Sequence, residues 1–221
     1  MKFVTSWMRR TGRAGVLASA CLAPVMWVSG CGLLADPAQT QFIAAQYNGL
    51  ANKNVVIVVY QDTAIANEYP AARQSVSAFV AAQLGIHAHI KGLVPYMMVI
   101  NWQDDTLNWF GLPEKEIGKH FSAERVVYIE LLQFEAHGRH GYGDLQGHVK
   151  AKCKVYETDT PGMEPAWTGV LDVLWPQDRP LDSSQTNENT VLRRVLEIFA
   201  EDLVDHFYDH ESHNRPMSER H

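Results

Sequence analysis

Asn54 introduces Val55-Val56-Ile57-Val58-Val59-Tyr60, a run with no polar position before its terminal tyrosine. Successive side chains of a strand point to opposite faces, so a run that is apolar at both parities needs cover on both sides. That requirement excludes a strand with one wet face and points to a central strand of an α/β sheet. Gln61–Asn67 reads as the turn leaving it. Glu68–Leu84 then repeats apolar residues at helical spacing through Tyr69, Ala72, Val76, Phe79, Val80 and Leu84, and its alanines favour the helix further. A buried strand followed by an amphipathic helix is half of a crossover unit.

The rest of the chain completes one domain. Ile86–Val94 contains the end of that helix and a short strand, and Tyr96–Trp102 is an apolar run of either type. Leu112–Gly118 predicts a short helix with Pro113 in its first turn. Three strands follow: Val126–Phe134, His148–Tyr156 and Trp167–Trp175. In the second, Val149, Ala151, Cys153 and Val155 alternate with His148, Lys150, Lys152 and Lys154, as expected of a sheet with one solvated face. His137–Gly147 and Thr158–Pro165 are the expected hairpin loops. Leu192, Val195, Leu196, Phe199, Leu203 and Phe207 form one stripe of a closing helix, with Asn187 as its cap. Phe42, Ile43, Tyr47 and Leu50 are expected to line a brief helix before the domain, and His210–His221 to form a fraying polar tail. The expected fold is therefore a single α/β (α+β) domain over residues 54–209, with a mixed, mainly antiparallel sheet and helices packed on it.

The amino terminus has a different character. Residues 1–30 carry Lys2, Arg9, Arg10 and Arg13 and no acidic residue, so the remainder is more acidic than the net charge of −6 suggests. Such a body argues against nucleic acid as a partner, because phosphate binding needs a basic surface. A basic segment, an apolar segment and small residues before Cys31 have the layout of a secretory signal. The apolar stretch Ala14–Gly30 is shorter than the roughly 20 residues of a spanning helix and contains Pro24. Val28-Ser29-Gly30-Cys31 resembles the lipobox of bacterial lipoproteins. The resemblance implies cleavage after Gly30, a diacylglyceryl thioether on Cys31 and acylation of the new amino group. Several acyl chains anchor stably where one binds only marginally. An uncleaved anchor and ordinary secretion with Cys31 idle are the other readings. Cys21, after Ala18-Ser19-Ala20, is a poorer lipid site. On the lipoprotein reading residues 1–30 are the signal, and residues 31–53 the lipidated cysteine, tether and short helix. Only Cys153 then remains as a thiol, and no intramolecular disulfide is possible.

The order of elements resembles the TolB amino-terminal and CsgG-like domains of envelope lipoproteins. The resemblance is carried by Val55–Tyr60, Val126–Leu131 and the meander through Trp167–Trp175. The chain is also similar to a group of uncharacterised bacterial lipoproteins at Leu112–Gly118, Val126–Glu130, Val155-Tyr156-Glu157 and Phe207-Tyr208-Asp209-His210. These likenesses imply a fold used for assembly or partner docking, and they transfer no catalytic residue.

Motifs for chemistry are sparse. There is no G-x-S-x-G elbow, no H-E-x-x-H helix and no phosphate loop. His206, His210 and His213 fall at i, i+4 and i+7 beside Asp205 and Asp209, so a continued helix would put three imidazoles on one face for a transition metal. The bland alternative is a solvated helix end. His137, His140 and His148 flank a glycine-rich loop, which is poor support for a site. Trp167 and Trp175 read as sheet packing. Trp109 and Phe110, in an irregular segment between two helices, are the expected exposed docking point.

The expectation is a non-catalytic binding or assembly module of the bacterial envelope. It is lipid-anchored through Cys31 to the inner or outer membrane and faces the periplasm. It needs no cofactor, engages an envelope protein partner, and has the option of forming a homo-oligomer. The competing expectation is a periplasmic metal-binding protein or metal-dependent hydrolase built on the histidines.

Overall fold

The computed structural model describes residues 42–137, 143–184 and 186–211. Cys31, Gly30, His140 and His213 lie outside them, as does residue range 212–221 of the expected tail. Elements run in the order β1 (Phe42–Ile43), β2 (Asn54–Tyr60), α1 (Thr63–Glu68), α2 (Ala72–His87), β3 (Gly92–Leu93), α3 (Tyr96–Asp105), a 3₁₀ turn (Trp109–Gly111) and α4 (Glu114–His120). They continue with β4 (Arg125–His137), β5 (Asp144–Glu157), β6 (Trp167–Trp175), β7 (Leu181–Asp182), α5 (Glu188–Asp205) and β8 (His210–Glu211).

The main sheet has the order β3-β2-β4-β5-β6, with β7 added to β5. Strand β2 is parallel to both its neighbours, and the remaining pairings are antiparallel. This is the mixed α/β sheet the hydrophobic patterning predicts. Val55 through Val59 are all at most 1% exposed, because each face of β2 has its own cover. Val55, Ile57 and Val59 join the larger core under α2 and α5, while Val56 and Val58 face a smaller core with Val99 of α3 and Ile117 of α4. The crossover from β2 to β3 thus runs over one face, and the connection from β3 to β4 over the other. α5 lies close against β5: a Cβ on Gly147 would stand 2.8 Å from Val195 Cγ1, so only glycine admits that approach.

Several boundaries differ from the expectations. The Gln61–Asn67 segment is not a simple turn. Asp62 accepts a hydrogen bond from the Ile65 amide at 2.8 Å and caps α1, and α2 begins only at Ala72, after Pro70. The brief helix expected around Phe42–Leu50 is absent. Phe42 and Ile43 instead pair antiparallel with Glu211 and His210, so His210–Glu211 is a strand where a frayed tail was expected. The closing contacts are long-range and leave no periodicity: the Gln46 and Tyr47 amides donate to the His206 carbonyl at 2.9 and 3.0 Å, and the Ala45 amide to Asp209 at 2.9 Å. The strands β4 and β5 also reach further into the glycine-rich connection than the sequence suggests. Leu132, 50% exposed, sits where the β4–β5 register shifts between Leu131 and Gln133, a bulge that turns it outward. Asn187 caps α5 as expected, accepting from the Thr190 amide at 3.0 Å.

Candidate functional site

Tyr60 ends β2, and the chain leaves it between the two crossovers. The order β3-β2-β4 with connections on opposite faces makes this strand end a topological switch point, where α/β sheets open a crevice. A cleft of about 320 Å³ lies there, with Tyr60, Gln61, Thr63, Arg73, Trp109 and Phe110 among its lining. Arg73 is held by Asp104 in an ion pair that ties α2 to α3, and its backbone amide donates to Gln61 at 3.1 Å. Gln103, 4% exposed, donates to the Val59 carbonyl at 3.1 Å and fixes the end of α3 against β2.

The aromatic turn forms the rim. Trp109 is 7% exposed, packed edge-on to Tyr60 and tilted against Trp102. The expectation that Trp109 is an exposed docking residue is therefore corrected: the indole roots the turn in the smaller core. Phe110, by contrast, is 58% exposed, as expected. Sequence reasoning missed its neighbours. Leu107 is 90% exposed and Leu112 43%, so three large apolar side chains stand in solvent within one short connection. Asn108 takes a left-handed backbone conformation (φ 57°) that bends the chain between Leu107 and Trp109. The only sequence signal for this was apolar residues with no period.

Of the expected histidine cluster, His206 and His210 are described, and they do not share one helix. α5 stops at Asp205, and a ring nitrogen of His206 lies 2.7 Å from the Asp202 carbonyl, to which it donates. His210 belongs to β8; one ring nitrogen is 3.1 Å from the Tyr208 carbonyl and the other 3.8 Å from Asp205. The premise of one continuous helix fails because Phe207 turns back into the core, where Trp167 and Tyr47 meet it edge-on. Among the described residues no three His, Cys, Asp or Glu side chains are placed to hold a metal ion. His137 stands 3.5 Å from the Tyr69 hydroxyl, and His148 is 2.7 Å from Asp172 on the neighbouring strand. Lys150 shares that aspartate at 2.7 Å, and Lys154 lies over the Tyr128 ring, so the basic stripe of β5 is largely engaged within the sheet.

Cys153 is fully buried in the larger core, and burial pushes its thiol up to about 12. A raised thiol stays protonated from pH 7 to 9 and is a poor nucleophile. Alkylation at pH 8 followed by mass spectrometry is expected to leave Cys153 unmodified in the native protein and to modify it fully in urea; rapid native modification would contradict this burial. Trp167 is likewise a core residue, 9% exposed, donating from Nε1 to Gln46 at 3.2 Å.

No family model and no curated protein matches the sequence. Solved structures of similar fold include a PelC dodecamer from Paraburkholderia phytofirmans, 11% identical, which covers 73% of this chain and 94% of its own with a TM-score of 0.42. A lipoprotein from Neisseria meningitidis is 13% identical over 69% of this chain and 95% of its own, with a TM-score of 0.42. A protein from Xanthomonas campestris is 8% identical over 75% and 90%, with a TM-score of 0.45. Among the described residues no helix is long and apolar enough to cross a membrane.

Proposed function

We propose that this chain is a lipid-anchored envelope protein of bacteria, attached through Cys31 after removal of residues 1–30, whose domain docks another envelope protein without catalysis. Its fold is of the TolB amino-terminal or CsgG-like kind on this reading. The observation that carries the docking role is the connection between α3 and α4, where Leu107, Phe110 and Leu112 are exposed around buried Trp109 and Phe110 reaches the switch-point cleft. Exposed apolar side chains clustered on a rigid base mark interaction surfaces, because each costs solvation until a partner covers it. The anchor supplies location and the turn supplies contact.

Two measurements test the two halves separately. Metabolic labelling with a radioactive fatty acid is expected to mark the wild type and not Cys31→Ala; equal label in both defeats the anchor. A photo-crosslinking amino acid at position 110 in living cells is expected to capture one envelope protein, and Leu107→Ser is expected to reduce the yield several-fold. Crosslinks formed only between copies of this chain would replace the partner with self-association, and none at all would remove the docking role.

A further inference from the structure

Ten residues separate Cys31 from Phe42, the first residue of β1. Fully extended, ten residues reach at most about 35 Å. The chain just after β1 is fastened to the body of the domain. The Gln46 and Tyr47 amides donate to the His206 carbonyl, the Ala45 amide donates to Asp209, and Trp167 Nε1 donates to Gln46. The tether from Cys31 therefore joins the domain at a fixed place.

That place is one pole of the domain. Tyr47 donates to Glu157, which pairs across β4–β5 with Arg125, and Arg125 pairs with Val55 at the start of β2. The aromatic turn belongs to the other pole, where Trp109 and Phe110 pack on Tyr60 at the end of β2. The seven residues of β2 set the two poles apart by about 20 Å.

The tether pole carries apolar side chains of its own. Phe42 is 65% exposed and Ile43 42%. Ile43 lies opposite His210, whose ring tilts against Tyr208 at 5.2 Å, and Tyr208 stacks on His87 at 5.0 Å. Beside His87, in the last turn of α2, Ile86 is 66% exposed. A line of ring contacts thus connects the exposed apolar residues of β1 with that of α2. Rings with an apolar body and a polar edge suit the headgroup level of a bilayer.

We infer that this pole, through Phe42, Ile43 and Ile86, rests on the bilayer that holds the anchor, with the Phe110 turn directed away from it. The inference rests on the lipid-anchored reading, because the short tether is what keeps a bilayer at high effective concentration beside this pole. Shallow burial of apolar side chains adds to acyl anchoring and fixes the orientation of the domain. Carboxylates flank the contact: Asp209 accepts from the Ala45 amide, and Glu211 lies opposite Phe42. They favour a zwitterionic over an anionic surface. The orientation leaves Phe110 free to meet a partner.

The full-length protein, purified from membranes, is reconstituted into phosphatidylcholine vesicles with brominated acyl chains. It carries a bimane label at Phe42→Cys, Ile86→Cys or Phe110→Cys. Bromine is expected to quench the label at positions 42 and 86, and to quench it at least about threefold less at position 110. Phe42→Glu is expected to lower the quenching at position 86 several-fold while the protein still floats with the vesicles. Flotation with equal quenching at 42 and 110, with none at 42, or with quenching at 86 unmoved by Phe42→Glu overturns the inference and leaves the anchor standing. Protein that does not float with the vesicles overturns both.

Discussion

Phe199→Ala is expected to destabilise the domain by about 4 kcal/mol, the largest effect of any single truncation proposed for this chain. Phe199 is wholly buried on α5, in the core shared with β2, β4, β5 and α2. Removing its ring costs the transfer free energy of the lost atoms and also leaves a cavity. The surroundings have little freedom to fill it, because α5 is seated on β5 at Gly147, with Val195 in direct contact. For a domain of this size the loss corresponds to a fall of about 8–16 °C in melting temperature. Urea unfolding should show a lower midpoint with an unchanged slope. Phe199→Leu is expected to lose less than half as much, since much of the volume is kept. A change below about 1 kcal/mol for alanine would mean that α5 is not packed on the sheet as described.

Arg125→Ala is expected to cost about 3 kcal/mol, through charged hydrogen bonds instead of volume. Arg125 opens β4 and is 6% exposed. Its Nε donates to the Gly49 carbonyl at 3.0 Å, and Nη1 donates at 2.7 Å to both the Glu124 carbonyl and Asp159; Nη2 stands 3.6 Å from Glu157. The same guanidinium therefore joins the segment before β2 to the start of β4 and the turn after β5. Tyr47 completes the link by donating to Glu157 at 2.8 Å. Alanine leaves the two carbonyls and both carboxylates without these donors. The carboxylates regain water, which keeps the loss below that of a fully buried pair. Arg125→Lys restores charge but not the fork and is expected to recover only part of the stability. Full stability in the lysine variant would show that charge alone holds this end of the sheet.

The elements that patterning predicts well are those whose partners are anonymous. β2 needed only apolar cover on two faces, and any two layers of helices satisfy that. α5 needed only a stripe, and the alternation of β5 needed only one buried face. The misread elements depend on particular distant groups. Phe42 and Ile43 are a strand because His210 and Glu211 lie beside them, more than 160 residues away in the chain. Asp62 makes a cap instead of a turn residue, a choice visible in the sequence only once α1 is placed. The candidate site divides in the same way. The exposure of Phe110 was legible, but Trp109 was not legible as its root, because two adjacent aromatics look alike until one finds Tyr60 and Trp102.

By itself the sequence determined the class of fold, since hydrophobic period is a local property that every α/β sheet must satisfy. It also carries Val28-Ser29-Gly30-Cys31, whose resemblance to a lipobox underlies the proposed anchor and is read along the chain without reference to shape. Only the tertiary structure decided that β2 ends at a switch point, that Leu107 and Phe110 stand out while Trp109 does not, and that β6 is the last strand of the main sheet among the described residues. Edges, rims and clefts are relations between segments remote in the chain, and the energy that selects them comes from contacts no local period encodes.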